Sequence, residues 1–228
     1  MVVDQRFWVR LRSPQSAAVA GIAFAVLLTA AMLLLRSSTG GPASDPNGWI
    51  GDESRRRMVG WAISLVPFAG IAFLWFIAVI RQRLGAREDK LFATVFLGSG
   101  LLFVAMLFSA AAVTGGLLTL AAQPQGVDEA TTRLAGALTS ALLATFGARM
   151  SAVFVLVVTT LGRKTEIIPQ WLAVGGYGCA VLLLFSPPST ALLHLAFPLW
   201  VLVVSVHALV TPGPTWAADD AKPTAGSR

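Results

Sequence analysis

The sequence predicts an all-α, polytopic transmembrane helix bundle with six spans and both termini cytoplasmic. Three observations carry that prediction. Of 228 residues, 56% are hydrophobic and only 12% are charged, against about 25% charged in a typical soluble domain. The mean hydropathy is +0.74. The apolar residues fall into six runs, and no run alternates as a strand would. A spanning helix needs about 20 residues and satisfies its own backbone groups inside the bilayer. An ordinary soluble enzyme, a disordered chain and a disulfide scaffold are excluded on these grounds.

The first run, Ala17–Leu35, follows three arginines at Arg6, Arg10 and Arg12. It is long and lacks a nearby small-x-small cleavage site, so it reads as a retained signal-anchor helix. Residues 1–16 form a basic segment suited to the membrane surface. The second run, Met58–Ile80, contains Pro67. The third stays apolar from Leu91 to Ala122, and the fourth from Leu134 to Leu161 apart from Arg149. Both exceed the length of a perpendicular span and predict tilt or protrusion. The fifth covers Ile167–Phe185 and the sixth Ala191–Val210, with Pro198 inside. The bundle thus occupies 17–210, and 211–228 reads as a disordered cytoplasmic tail.

Charge sets the orientation. Eleven of the 17 basic residues fall on the side of the termini, five on the other, and Arg149 is left over. The excess places both termini in the cytoplasm. Arg55, Arg56 and Arg57 run against the rule. Asp52 and Glu53, four residues before Arg56 and Arg57, are expected to pair with them, and Asp52 to cap the second helix. Ser37–Gly51 reads as an irregular external loop, and Ser186-Pro187-Pro188-Ser189 as a hairpin turn. A weak repeat at an offset of 77 pairs Leu84-Gly85 with Leu161-Gly162 and Gly70 and Gly98 with Gly147 and Gly175.

Arg149 is the residue most out of place. An arginine at membrane depth costs about 3 kcal/mol on insertion scales, and no Asp or Glu lies within any span to pair with it. It either bonds backbone carbonyls to hold the bundle, or it contacts an anion or lipid headgroup. Thr145, Ser140 and His194 are the polar groups expected near such a ligand. Thr132, Gly136, Ser140, Ala144, Ala148 and Ala152 recur every four residues, a spacing that lets membrane helices approach closely. Gly136, Ala144 and Ala148 are therefore expected to pack in a helix–helix seam, and Pro67 and Pro198 to kink their helices for packing.

No cofactor is expected. Two histidines and one cysteine, Cys179, cannot build a zinc site without carboxylate help. Phosphate-binding glycine loops and nucleophile elbows are absent from the sequence. The basic residues flank apolar runs, where they meet lipid headgroups rather than nucleic acid. The expected partners are membrane lipids, with a second copy or another membrane protein possible.

The stretches GIAFLWFIAVIRQRLGAREDKLFATVFLGSGLLFVAML, RMSAVF, IPQWLAVGGY and FPLWVLVVSV resemble a family of bacterial integral membrane proteins common in actinobacteria. The resemblance implies an all-helical fold and no particular activity. The leading expectation is a non-enzymatic membrane protein that binds a lipid or amphiphile or supports a membrane complex. The alternative is a small transporter or channel for an anionic or amphipathic substrate, with Arg149 as the anion contact.

Overall fold

The computed structural model describes residues 14–39, 48–84, 90–165, 168–187 and 191–211. The basic N-terminal segment, the tail, most of the polar hairpin after Leu84 and the tip of the proline hairpin lie outside the described residues. Local chemistry explains where most helices begin and end. Helix α1 is described over Pro14–Thr39. At its C-terminal end the hydroxyls of Ser37, Ser38 and Thr39 donate to the carbonyls of Leu34 and Leu35. Helix α2 (Glu53–Leu84) is capped as expected, with the Asp52 carboxylate accepting from the Ser54 and Arg55 amides. The expected ion pairing is half observed. Arg57 meets Glu53 at 2.9 Å, but Arg56 donates to the Ile50 carbonyl, and Asp52 is taken by Arg55 at 3.5 Å.

Helix α3 (Lys90–Ala121) ends in a turn whose Gly126 has φ +67°, a left-handed conformation that favours glycine. A continuous helical rod follows in three parts. They are α4 (Glu129–Ser140), a wide π-helical stretch (Ala141–Gly147) and α5 (Ala148–Lys164). Helix α6 (Gln170–Phe185) has 16 residues. A 3-10 turn (Ala191–Leu195) leads into α7 (Ala196–Val210). Five of the resulting helical passes are long and apolar enough to cross a membrane, and α6 is the shorter sixth. The chain is therefore all-helical among its described residues and has the build of a multi-pass membrane protein.

The passes close into a ring. α1 packs on α2 and α7, α2 on α3, α3 along the rod, α5 on α6, and α6 on α7. Phenylalanines fill the centre. Phe24, Phe73, Phe96, Phe103, Phe154 and Phe197 come from α1, α2, α3, α5 and α7, and none is more than 7% exposed. Phe73 lies 4.5 Å from Phe24 and 5.0 Å from Phe154 between ring centres, and Phe103 lies 4.8 Å from Phe197. Such pairs each add about 0.5–1.5 kcal/mol beyond area burial. Glycines bring the helices onto this core. Gly70 lies under the Phe108 ring, and Gly100 faces Ile77 and Phe154. The outward face is apolar too, with Trp61, Trp171 and Phe185 each more than half exposed, as lipid-facing surface requires.

Candidate functional site

The rod that carries Arg149 begins at a capped end. The Asp128 carboxylate accepts from the Thr131 amide and hydroxyl, and Glu129 pairs with Arg133 at 2.6 Å. Twelve residues later the helix widens. The Ala148 amide reaches back five residues to the Leu143 carbonyl instead of four. A side chain at Gly147 would begin 3.1 Å from the Leu142 carbonyl oxygen, so the glycine suits the tight exit from the wide turn. Short π segments occur mostly as bulges inside α-helices and often at functional sites.

Arg149 follows directly. It is half-buried, and its guanidinium donates to the Thr145 carbonyl at 2.6 Å. It forms no ion pair among the described residues. The carbonyl is on the arginine's own helix, so this bond does not tie two helices together. One bond leaves most of the five guanidinium donors for other partners.

Its depth can be read from neighbouring rings. Phe73 on α2 packs against Phe154 on α5. At 1.5 Å per residue, Arg81 lies about 12 Å from that pair towards one end and Arg57 about 24 Å towards the other. Arg149 is five residues before Phe154, about 8 Å towards the Arg57 end. It sits near the middle of the span.

Its direction follows from periodicity. Thr160 lies 11 residues on, about three full turns of helix, so the two share a face. Thr160 meets the Tyr177 hydroxyl of α6 at 3.3 Å. Arg149 therefore points to the side where α6 packs. At its level α6 has almost ended, because Gly176 packs on Thr159 and α6 stops at Phe185. The carbonyl end of a helix carries partial negative charge, which suits an arginine held at that depth.

The other expected site residues divide. Thr145 is half-buried and offers its carbonyl to Arg149, whereas Ser140 is exposed just before the wide turn. His194 lies in the 3-10 turn, three residues before the core ring Phe197, and so near the depth of Arg149. Its Nε2 is buried with no hydrogen-bond partner among the described residues. Ala144 and Ala148 are buried, with Ala152 beside them. The stripe is interrupted at Gly136 and Ser140, although Thr132 at its far end is buried. Gly136 is exposed and has nothing within 4 Å of where a side chain would begin. A spacing of four drifts about 40° per step on a regular helix, and the wide turn changes the phase between the two halves.

The prolines also depart from expectation. Pro67 lies on the exposed face of α2, so its ring does not pack in the core. Pro198 is buried, but it occupies the first turn of α7 rather than the helix interior. There it forfeits little intrahelical bonding.

Sequence reasoning missed two features. The wide turn has no compositional signature in ALLATFG. The second is a buried polar pair, Thr159 and Trp200, brought together only by packing. Among the described residues, no group of three or more His, Cys, Asp or Glu side chains could hold a metal ion. A surface hollow of about 780 Å³ is lined by α1 residues Ala30, Leu33, Leu34, Arg36 and Ser37, and is remote from Arg149 in the chain. No family model, curated protein or solved structure matches the chain.

Proposed function

We propose that this multi-pass protein lies in the cytoplasmic membrane of a bacterial cell, with both termini inside, and binds an anionic lipid or amphiphile through Arg149. The binding is non-catalytic and serves the protein alone or within a membrane complex. One observation carries the reading. Arg149 lies near mid-span with a single hydrogen bond to its own helix and no carboxylate partner among the described residues. Phosphate or carboxylate oxygens are the acceptors that a guanidinium best satisfies. The phenylalanine-filled centre supports binding at the side of the bundle over conduction through it.

Native mass spectrometry of the protein in nanodiscs tests this, with phosphatidylglycerol and phosphatidylcholine as probes. Wild type should retain phosphatidylglycerol in preference to phosphatidylcholine. Arg149→Ala should lose that preference while keeping its fold, and Arg149→Lys should keep part of it. Equal retention by wild type and a folded Arg149→Ala would sink the proposal.

Transport of an anionic substrate is the second reading, and the wide turn beside Arg149 favours it. Such a turn can change its register and move the arginine. In a Cys179→Ser background, single cysteines at Thr145 and Ala152 would report that motion. Ala152 is only 3% exposed, so reaction there with a polar thiol reagent requires α5 to leave the core. Protection of Ala152 under all conditions counts against transport.

A further inference from the structure

The junction of α5, α6 and α7 holds two polar groups that the binding reading does not use. Thr159 is fully buried, and its hydroxyl has no hydrogen-bond partner among the described residues. Trp200 is 6% exposed, and its indole N–H likewise has none. Both face the same backbone position. A side chain begun at Gly176 would meet the Trp200 Nε1 at 3.0 Å and the Thr159 Oγ1 closer still. The two atoms thus both lie against one glycine, and they do not bond each other directly. Both lie within about 3 Å of where that side chain would begin, so they are at most about 5 Å apart. Two hydrogen bonds of about 2.8–2.9 Å to one oxygen span such a gap.

The chemistry of the pair is selective. An indole N–H only donates, whereas a threonine hydroxyl donates and accepts. The neighbouring Thr160 hydroxyl donates to the Leu156 carbonyl at 2.8 Å, the usual resting bond of a helical threonine. Thr159 does not make the equivalent bond. Its hydroxyl is left for a partner at the junction, in surroundings where an unmade bond is expensive. Gly176 allows the arrangement, since a side chain there would crowd both atoms.

We propose that Thr159, Gly176 and Trp200 form an internal hydration site. One water molecule accepts from the Trp200 indole N–H and exchanges a hydrogen bond with the Thr159 hydroxyl. The water joins α5 to α7 across the α6 backbone and is separate from any ligand at Arg149. A buried water of this kind replaces a direct interhelical bond with little loss.

The test uses the full chain in nanodiscs with 15N-labelled tryptophan. Seven indole signals are expected, and Trp200→Phe identifies the one that disappears. The Trp200 signal should show a cross-peak to a long-lived water. Thr159→Val should abolish that cross-peak and move the indole proton upfield, and Thr159→Ser should restore both. A wild-type cross-peak only to the Thr159 hydroxyl would mean that the two groups bond directly, and would overturn the water site. So would an indole signal with no water contact that Thr159→Val leaves unmoved. If the valine variant does not fold, the wild-type cross-peak decides the matter alone.

Discussion

The two halves of one rod behave as different materials. α4 buries only Thr132 among its 12 residues, whereas α5 buries ten of its 17. Both are rich in small and apolar side chains. They differ in their neighbours. α5 is flanked by α3, α6 and α7 and reaches the phenylalanine centre through Phe154, while α4 packs chiefly on α3. Small residues therefore make a seam only where partners stand on several sides. Ala144, Ala148 and Ala152 have such partners, and Gly136 does not. The wide turn between the halves lets each keep its own phase, so that Thr139 faces Thr114 of α3 at 3.5 Å while Ala144 turns inward.

The sharpest contrast should come from truncating one apolar residue in each half. Phe154→Ala should destabilise the bundle by about 3–5 kcal/mol, whereas Leu138→Ala, on the exposed face of α4, should stay within about 0.5 kcal/mol. Thermal unfolding in matched detergent compares them. Similar losses would erase the distinction between the halves.

Deleting Leu142 removes one residue from the wide turn and should rotate α4 by about 100° against α5. Cysteines at Thr114 and Thr139, in a Cys179→Ser background, should cross-link in the undeleted chain and fail to do so after the deletion. Persistent cross-linking would mean that the wide turn does not set the phase.

Smaller still is the bond between those threonines. Interhelical hydrogen bonds in membranes average about 0.6 kcal/mol, and the two hydroxyls sit at the long limit of distance. A double-mutant cycle with Thr114→Val and Thr139→Val should return a coupling no larger than that.

The least effect concerns the start of α4. The Thr131 hydroxyl, and then its amide, hold the Asp128 carboxyl below its ordinary value of 3.8. A depressed value means that the cap is complete above the unfolded carboxylate range and is lost as pH falls through the folded one. The Thr131 amide resonance should therefore stay constant from neutral pH to about 4 and shift only below it, while α5 resonances stay still. Midpoints at or above the ordinary value would refute the capping assignment.

Much of the fold is legible in the residues themselves. The six apolar runs, the Asp52 cap and the excess length of the third and fourth runs all have local causes. The faces are not legible, because helices that are apolar nearly all round give no sign of which side turns inward. Phe24, Phe73, Phe103, Phe154 and Phe197 sit in five different runs, and nothing in any one run marks them as neighbours. Arg149 is conspicuous in the sequence for its charge alone, but the turn that positions it is a change of hydrogen-bond partner. Its one trace is a spacing of five, from Thr139 facing α3 to Ala144 facing the core. Thr159 and Trp200, 41 positions apart, carry no mutual signal at all.

The shortness of α6 has a mechanical meaning. Its 16 residues extend about 24 Å, less than the roughly 30 Å of hydrocarbon in a typical bilayer. The rod beside it has 36 residues and must lean or protrude to fit. A helix that is already too short has no such freedom, because every degree of tilt shortens its reach. Thinning of the bilayer beside it is one of the responses to such a mismatch. On that flank the mismatch is written in backbone length rather than in any side chain.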